Sequence, residues 1–388
     1  MSETLSPDQA RKLVLHCQQL PARQKPVRPL SATLALIEQL GYVQIDTIAV
    51  VERAHHHTLW SRNPAYVPEQ LDTLLAERQV FEYWSHAAAC LPLCDFRFTL
   101  PRKQAIASGE QDHWYARDRR LMREVLERIR QEGPLQARDF GGSNMARAGE
   151  WHSKPAKRAL EYLFHQGDLM VARRQGFQKV FDLTERVLPP DVDTRLPDAE
   201  EQARFLLTRF LGANGLGQAA EAGYLRRNTA QLLQQVAGHM LEAGELVTVR
   251  AAGQDWLALP QVLECLNRPL PRSRVSILSP FDNLLIQRRR MQVLFDFDYQ
   301  IECYLPTHKR RFGYFSLPLL WDGRLVARMD CKAERRTATL QIRQFTLEPY
   351  LKPGSRRYAA FRQQLDNALT DFMHFNRCQR LVWQTASP

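Results

Sequence analysis

The chain has 388 residues, a formal net charge of +11 at pH 7 and a sequence pI of about 9.5. This excess of basic residues favours a polyanionic partner such as nucleic acid, and it carries no information about the fold. No run of 18 apolar residues is present, which excludes a membrane-spanning helix. The seven cysteines are scattered and odd in number, so we expect reduced thiols rather than a disulfide framework.

The N-terminal part predicts two helices and a short strand. Residues 6–18 and 31–40 have helical patterns, each beginning with a serine as N-cap, and Gly41 is placed to end the second helix. The strand that follows ends in Gln44-Ile45-Asp46. A helix over 68–76 and a hairpin within 80–90 complete a predicted winged-helix domain of residues 1–115.

Residues i and i+2 of a strand project from the same face, so Gln44 and Asp46 place an amide and a carboxylate in one space. The cationic segment that follows contains His55, His56, His57 and Arg62. This combination suggests acid/base chemistry on a bond within a polyanion. From spacing alone, an aspartate that caps the next turn fits better, because short motifs often match by chance.

The three consecutive histidines cannot converge on one ion, so we predict no metal site. A buried structural role is favoured for one of them. We expect at least one other to face phosphate or the space around Asp46, and His55, His57 and Arg62 are predicted DNA contacts.

An internal repeat organises the middle of the chain. Residues 167–176 (GDLMVARRQG) and 244–253 (GELVTVRAAG) match at both glycines and one arginine, 77 residues apart. Each follows a helical pattern and continues into a second strand, over 178–183 and 255–259. Three helices followed by a hairpin form a winged helix, so we predict such domains at 116–190 and 198–268.

Two groups of basic residues in the first repeat are predicted to contact DNA. Lys154, Lys157 and Arg158 begin the candidate recognition helix, where a helix N-terminus suits phosphate. The second group, Arg173, Arg174 and Lys179, lies on the predicted wing. A solvated turn explains the wing residues equally well.

The C-terminal part has strand-like alternation over 275–286, 291–299, 313–319, 324–331 and 337–345, followed by a helix over 356–375. It predicts a β-rich domain, residues 272–388, with a small sheet or barrel. Arg288, Arg289 and Arg290 directly follow an apolar stretch. They form either a phosphate clamp or an exposed edge, and the further basic residues of this region favour the clamp. The predicted class is therefore α+β, with tandem winged-helix domains before a β-barrel-like domain.

The chain resembles the winged-helix DNA glycosylases typified by AlkZ and YcaQ, and is most similar to the YcaQ branch. The blocks that carry the resemblance are QIDTIAVVERAHHHTLWSR, SPFDNLLIQRRR and FDFDYQIECYLPTHKRRFGYFSLPLLWDGRLVARMDCKAERR. The YcaQ branch has a Gln-apolar-Asp catalytic motif, which Gln44-Ile45-Asp46 matches. The resemblance implies excision of cationic N7-alkylated purines, including interstrand crosslinks, with Asp46 activating water and Gln44 positioning it.

We therefore expect a monofunctional glycosylase that needs no cofactor and acts as a monomer on double-stranded DNA with alkylated or crosslinked purines. The N-terminus lacks a signal-peptide pattern, so we expect a cytoplasmic, nucleoid-associated protein. The main alternative is a winged-helix transcription regulator without catalytic activity, and an RNA-processing factor is a weaker one. An unpaired carboxylate near phosphates disfavours the regulator, because it opposes binding unless it has a task.

Overall fold

The computed structural model describes residues 3–22, 28–140 and 155–384, and the chain divides into two compact units. The larger unit combines Met1–Val67 with Ala203–Pro388, and the smaller unit is Pro68–Gln202. The division after Val67 falls inside the predicted first domain, and the four domain boundaries stay predictions. Within the described residues, no helix is long and apolar enough to cross a membrane.

Helices and strands are both well represented, which confirms the predicted α+β class. The α-helices of the described residues are, in chain order, α1 Pro7–Cys17, α2 Pro29–Leu40, α3 Ala54–Trp60, α4 Pro68–Ala76, α5 Leu100–Ser108, α6 Arg119–Glu132, α7 Pro155–Gln166, α8 Thr184–Val187, α9 Ala199–Asn214, α10 Ala219–Ala222, α11 Ala230–Glu242, α12 Arg288–Phe295 and α13 Arg356–Phe375. The strands are β1 Glu3–Thr4, β2 Val43–Gln44, β3 Val80–Trp84, β4 Ala88–Pro92, β5 Leu169–Gln175, β6 Gln178–Leu183, β7 Val247–Ala251, β8 Gln254–Ala258, β9 Ser276–Ile277, β10 Ser316–Trp321, β11 Arg324–Glu334, β12 Thr339–Leu347 and β13 Arg380–Trp383.

The first helix begins at the serine cap that its sequence predicts, whereas the second begins earlier than predicted, at Pro29 with Arg28 rather than Ser31 as its N-cap. Ser6 caps α1 through a reciprocal pair of hydrogen bonds with Gln9, of 2.8 and 3.2 Å. Gly41 ends α2 with a φ of 75°, a left-handed conformation that glycine adopts without steric cost. Strand β2 follows directly, so this helix end determines where the segment with Gln44 and Asp46 begins.

A five-stranded sheet in the order β13-β12-β11-β10-β9 forms the C-terminal part of the larger unit. Its neighbouring strands are antiparallel except for the parallel pair β12–β13. The predicted terminal helix is confirmed as α13, whose Phe361, Leu365 and Phe372 are buried in one cluster with the sheet. The sheet has two edge strands, and closure into a barrel stays a prediction.

The prediction of a strand over 291–299 is wrong, because Arg288–Phe295 forms helix α12. Its buried residues are Arg290, Met291, Leu294 and Phe295, which recur at helical spacing rather than on every second position. Short apolar runs of this kind fit a strand and a buried helix equally well. The strand predicted over 275–286 is also much shorter, since only Ser276–Ile277 pairs in the sheet.

Both copies of the predicted repeat have the expected order of elements. In one copy, α6, the short 3-10 helix Ala137–Phe140 and α7 precede the β5–β6 hairpin, and in the other α9, α10 and α11 precede the β7–β8 hairpin. The matched glycines Gly167 and Gly244 have φ values of 97° and 74°, so a turn that needs this conformation explains why both copies have glycine there. The winged-helix assignment itself stays a prediction.

Candidate active site

The segment before Asp46 is fixed to a distant part of the chain. Val43 is fully buried and Gln44 is half-buried at the end of β2. One residue earlier, the backbone oxygen of Tyr42 accepts a hydrogen bond of 2.9 Å from the side-chain amide of Asn283. The SPFDN segment at 279–283 therefore positions the strand that leads into the predicted catalytic pair.

Asp46 lies half-buried just after β2. Its Oδ1 accepts a hydrogen bond of 2.8 Å from the backbone N–H of Ile48. Burial raises the pKa of Asp46 above its ordinary value, and backbone hydrogen bonds from Ile48 and Thr47 oppose this shift in part. The raised pKa makes the carboxylate a stronger base than an exposed aspartate.

The chain after Asp46 is held by hydrogen bonds to the C-terminal part of the larger unit. Arg335 donates to the backbone oxygens of Ala49 and Val51, at 3.0 and 3.2 Å. The side chain of Asn376 accepts from the backbone N–H of Glu52 at 2.7 Å. Val51 is completely buried in the core cluster under the sheet. Asp46 therefore lies in a segment that is fixed on both sides.

Two residues that the sequence analysis did not select interact electrostatically with Asp46. The charge of Asp46 contributes to raised pKa values of Cys303 and Tyr304, after burial as the larger cause. The Tyr304 side chain is 73% exposed, although tyrosine is largely apolar. The sequence already contained a signal for Tyr304, namely an aromatic residue within the basic run at 304–311.

The structure places Arg62 inside the larger unit. The side chains of Arg62 and Asp282 are both completely buried and form a bidentate ion pair with distances of 2.7 and 2.8 Å. Arg62 also donates to the backbone oxygens of Gln18 and Thr58. Its guanidinium is thus occupied by internal partners in this conformation, and we leave Arg62 out of the proposed DNA surface.

The two histidines predicted to contact DNA are buried in α3, with exposures of 4% for His55 and 0% for His57. His57 donates through Nε2 to the backbone oxygen of Ile277 at 2.9 Å, and its ring packs against Phe372. Burial lowers the pKa of His57 to about 4, so the ring is neutral at pH 7. This is the structural histidine that the sequence led us to expect.

The three consecutive arginines have different environments at the start of α12. Arg288 and Arg289 are exposed, whereas Arg290 is 1% exposed. The Arg290 guanidinium donates to the side-chain oxygen of Asn214 and lies 5.4 Å from the ring centroid of Phe210. A helix separates these environments by turning about 100° per residue. Of these three arginines, Arg288 and Arg289 remain in our proposed phosphate-contacting set.

In the smaller unit, two of the predicted wing residues are paired with buried or half-buried carboxylates. Arg174 binds both oxygens of Glu82, which is 5% exposed, and Lys179 lies 3.0 Å from Glu161. Arg173 is exposed on the same hairpin. Burial of charge in such pairs requires good partner geometry, which both pairs have.

The basic residues at the start of α7 have different accessibilities. Lys157 is exposed and Arg158 is half-buried, while Lys154 lies outside the described residues. Lys157 and Arg173 are therefore the predicted contacts of this unit that are exposed.

Across the ranges 3–22, 28–140 and 155–384, no group of three or more His, Cys, Asp or Glu side chains could hold a metal ion.

Known proteins match this chain along nearly its whole length. A family model described as DNA glycosylase AlkZ-like matches residues 37–375, a range that includes Gln44 and Asp46. The solved structure of the DNA glycosylase AlkZ from Streptomyces sahachiroi is similar over 99% of this chain and 100% of its own. The TM-score is 0.66 and the sequence identity is 17%, so this likeness shows a shared fold.

Proposed function

Because the chain belongs to the AlkZ-like DNA glycosylase family, we propose that it excises cationic N7-alkylated purines from duplex DNA by hydrolysing their N-glycosidic bonds. The observation that carries this proposal is the half-buried carboxylate of Asp46, whose pKa is raised by burial. Hydrogen bonds fix the chain on both sides of this residue. A base of this kind suits the activation of water. Its location within the Gln-apolar-Asp motif supports the same role.

The reaction requires one carboxylate rather than two. Cleavage of a glycosidic bond passes through an oxocarbenium-like state, and sugar hydrolases use a second carboxylic acid to protonate the leaving group. An N7-alkylated purine already has a positive charge and leaves as a neutral base. Asp46 would deprotonate the attacking water and stabilise the cationic sugar, and Gln44 would hold the water or the lesion through its amide.

We extend the proposal to interstrand crosslinks, as the YcaQ-type motif suggests. A crosslinked purine is bonded to both strands, so extrusion of one nucleotide from the stack is obstructed. Asp46 would then reach the lesion within the duplex. Winged helices at 1–115, 116–190 and 198–268 would hold the flanking DNA in a monomeric enzyme, with Lys157, Arg173, Arg288 and Arg289 on phosphates.

Substitution of Asp46 by asparagine tests the proposal. A duplex with one N7-methylguanine is incubated with excess enzyme, and abasic product is cleaved with alkali and separated on a gel. We expect Asp46→Asn to lower the single-turnover rate by about 10²–10⁴-fold, the contribution of a general base. Asp366→Asn, which changes an exposed aspartate of α13, is the matched control and should retain the wild-type rate.

Two further substrates sharpen the test. A duplex with an N7–N7 crosslink should be unhooked, whereas a uracil duplex should react far more slowly, since a neutral base needs an acid to leave. Borohydride should trap no covalent complex, because the motif has no lysine to form a Schiff base. Wild-type protein that binds DNA but excises no cationic purine would favour the transcription regulator instead.

A further inference from the structure

A hydrogen bond joins the two ends of the loop from Glu302 to Phe312, which we call the 302–312 loop, and another links two residues within it. Glu302 is 7% exposed, and its Oε2 accepts a hydrogen bond of 2.7 Å from the backbone N–H of Phe312. The guanidinium of Arg310 donates to the backbone oxygen of Leu305 at 2.9 Å. These contacts define the loop before any ligand is bound, which reduces the entropy cost of binding through it.

The 302–312 loop presents an exposed aromatic ring in the same part of the larger unit as the proposed catalytic carboxylate. Ile301 and Tyr314, on either side of the loop, pack against the core cluster on which Ile48, two residues after Asp46, also packs. Tyr304 has the highest exposure, 73%, among the large hydrophobic residues of the described chain. Its side chain interacts with that of Cys303, and the charge of Asp46 acts on both residues. Partial burial, followed by the electrostatic effects of Cys303 and Asp46, raises the pKa of the Tyr304 hydroxyl above its ordinary value.

The remainder of the loop has the charge that suits a polyanion. His308, Lys309 and Arg311 are exposed, and Thr307–Lys309 forms a short 3-10 turn. Arg310 is half-buried, and its guanidinium lies 4.9 Å from the ring centroid of Tyr314. An exposed aromatic ring flanked by accessible basic residues is the combination that proteins use to stack on bases while they hold the phosphate backbone.

We propose that the 302–312 loop enters the DNA at the lesion, where the ring of Tyr304 stacks on the cationic purine and Lys309 and Arg311 contact neighbouring phosphates. The proposal rests on the proposed glycosylase function and adds a residue that selects the substrate. The face of an aromatic ring attracts a cation, so an N7-alkylated purine gains more from this contact than an undamaged base. Stacking would also hold the glycosidic bond beside Asp46.

Three substitutions at Tyr304 separate stacking from mere bulk. Tyr304→Phe retains the ring and should excise N7-methylguanine within about threefold of the wild-type rate. Tyr304→Ala and Tyr304→Leu remove the ring and should both lower kcat/KM by roughly 10- to 100-fold, the range for loss of one base-stacking contact. Leu196→Ala removes another exposed apolar side chain, 50% exposed, between the domains predicted at 116–190 and 198–268, and serves as the matched control with unchanged activity.

A binding measurement keeps this inference separate from the proposed function. A duplex with 2-aminopurine beside the N7-methylguanine reports local stacking by fluorescence, and Asp46→Asn prevents turnover. Addition of Asp46→Asn protein should change the fluorescence, and the double variant Asp46→Asn/Tyr304→Ala should not. If the wild type excises the lesion while Tyr304→Ala or Tyr304→Leu reacts at the same rate, the stacking role is overturned and the glycosylase function stands. A wild type that fails to excise the lesion overturns the function itself.

Discussion

Replacement of Arg62 by alanine should destabilise the protein without changing how it binds DNA. Arg62 is paired with Asp282 where neither side chain is exposed, and it also donates to Gln18 and Thr58. The alanine variant would leave the Asp282 carboxylate buried without its cationic partner. Removal of one member of a buried ion pair costs about 3–5 kcal/mol, a large share of the 5–15 kcal/mol that stabilises a typical domain.

The measurement is the free energy of unfolding from urea titration followed by circular dichroism. Arg288→Ala is the matched control, because Arg288 is exposed and its loss should change stability by less than about 0.5 kcal/mol. If Arg62→Ala leaves too little folded protein, Arg62→Met can be compared with Arg62→Met/Asp282→Leu. The double variant should be the more stable of the two, since it leaves no unpaired buried charge.

The salt dependence of DNA affinity decides between the two roles of Arg62. Each phosphate contact contributes about 0.9 to the slope of log affinity against log salt concentration. Arg288→Ala should reduce this slope by about that amount, and Arg62→Ala should leave it unchanged. A stable Arg62→Ala protein with a reduced slope would refute the structural role and restore the DNA contact that the sequence predicted.

Three other outcomes are expected. Gln44→Ala should slow single-turnover excision less than Asp46→Asn does, because an amide positions water but is a poor proton acceptor, and an unchanged rate would remove Gln44 from the mechanism. Excision should persist after treatment with EDTA; loss that a divalent ion restores would instead implicate a metal. The excision rate should fall as pH falls through the raised pKa of Asp46, at a higher pH than for an ordinary aspartate, and a flat profile would contradict its role as base.

Local signals in the sequence predicted much of the fold. The serine before α1, the glycine after α2 and the repeated glycines at 167 and 244 correspond to caps and turns in the structure. Caps and left-handed turns are determined by residues within one turn of the chain, so a sequence displays them directly. The family that the sequence resembled is also confirmed, because its most specific blocks lie within the matched range.

The partners of the charged side chains could not be predicted in this way. Arg62 pairs with a residue 220 positions away, and Arg290 donates to one 76 positions away. A sequence shows that these arginines exist but not which of them will be enclosed by other elements. The structure therefore divides the predicted DNA-contacting residues into buried ones with internal partners and exposed ones. The exposed set that we propose to contact DNA is smaller than the predicted one.

The same long-range dependence explains how the proposed catalytic carboxylate is held. A folded-state pKa above the unfolded value means that ionised Asp46 is less favourable in the folded chain, so it opposes folding at neutral pH. The segment is nevertheless held in place by Asn283 on one side and by Arg335 and Asn376 on the other. These hydrogen bonds offset the cost of holding the carboxylate in a partly buried position. Asparagine at position 46 would remove that cost, so lost excision in Asp46→Asn would report the missing base rather than a weakened fold.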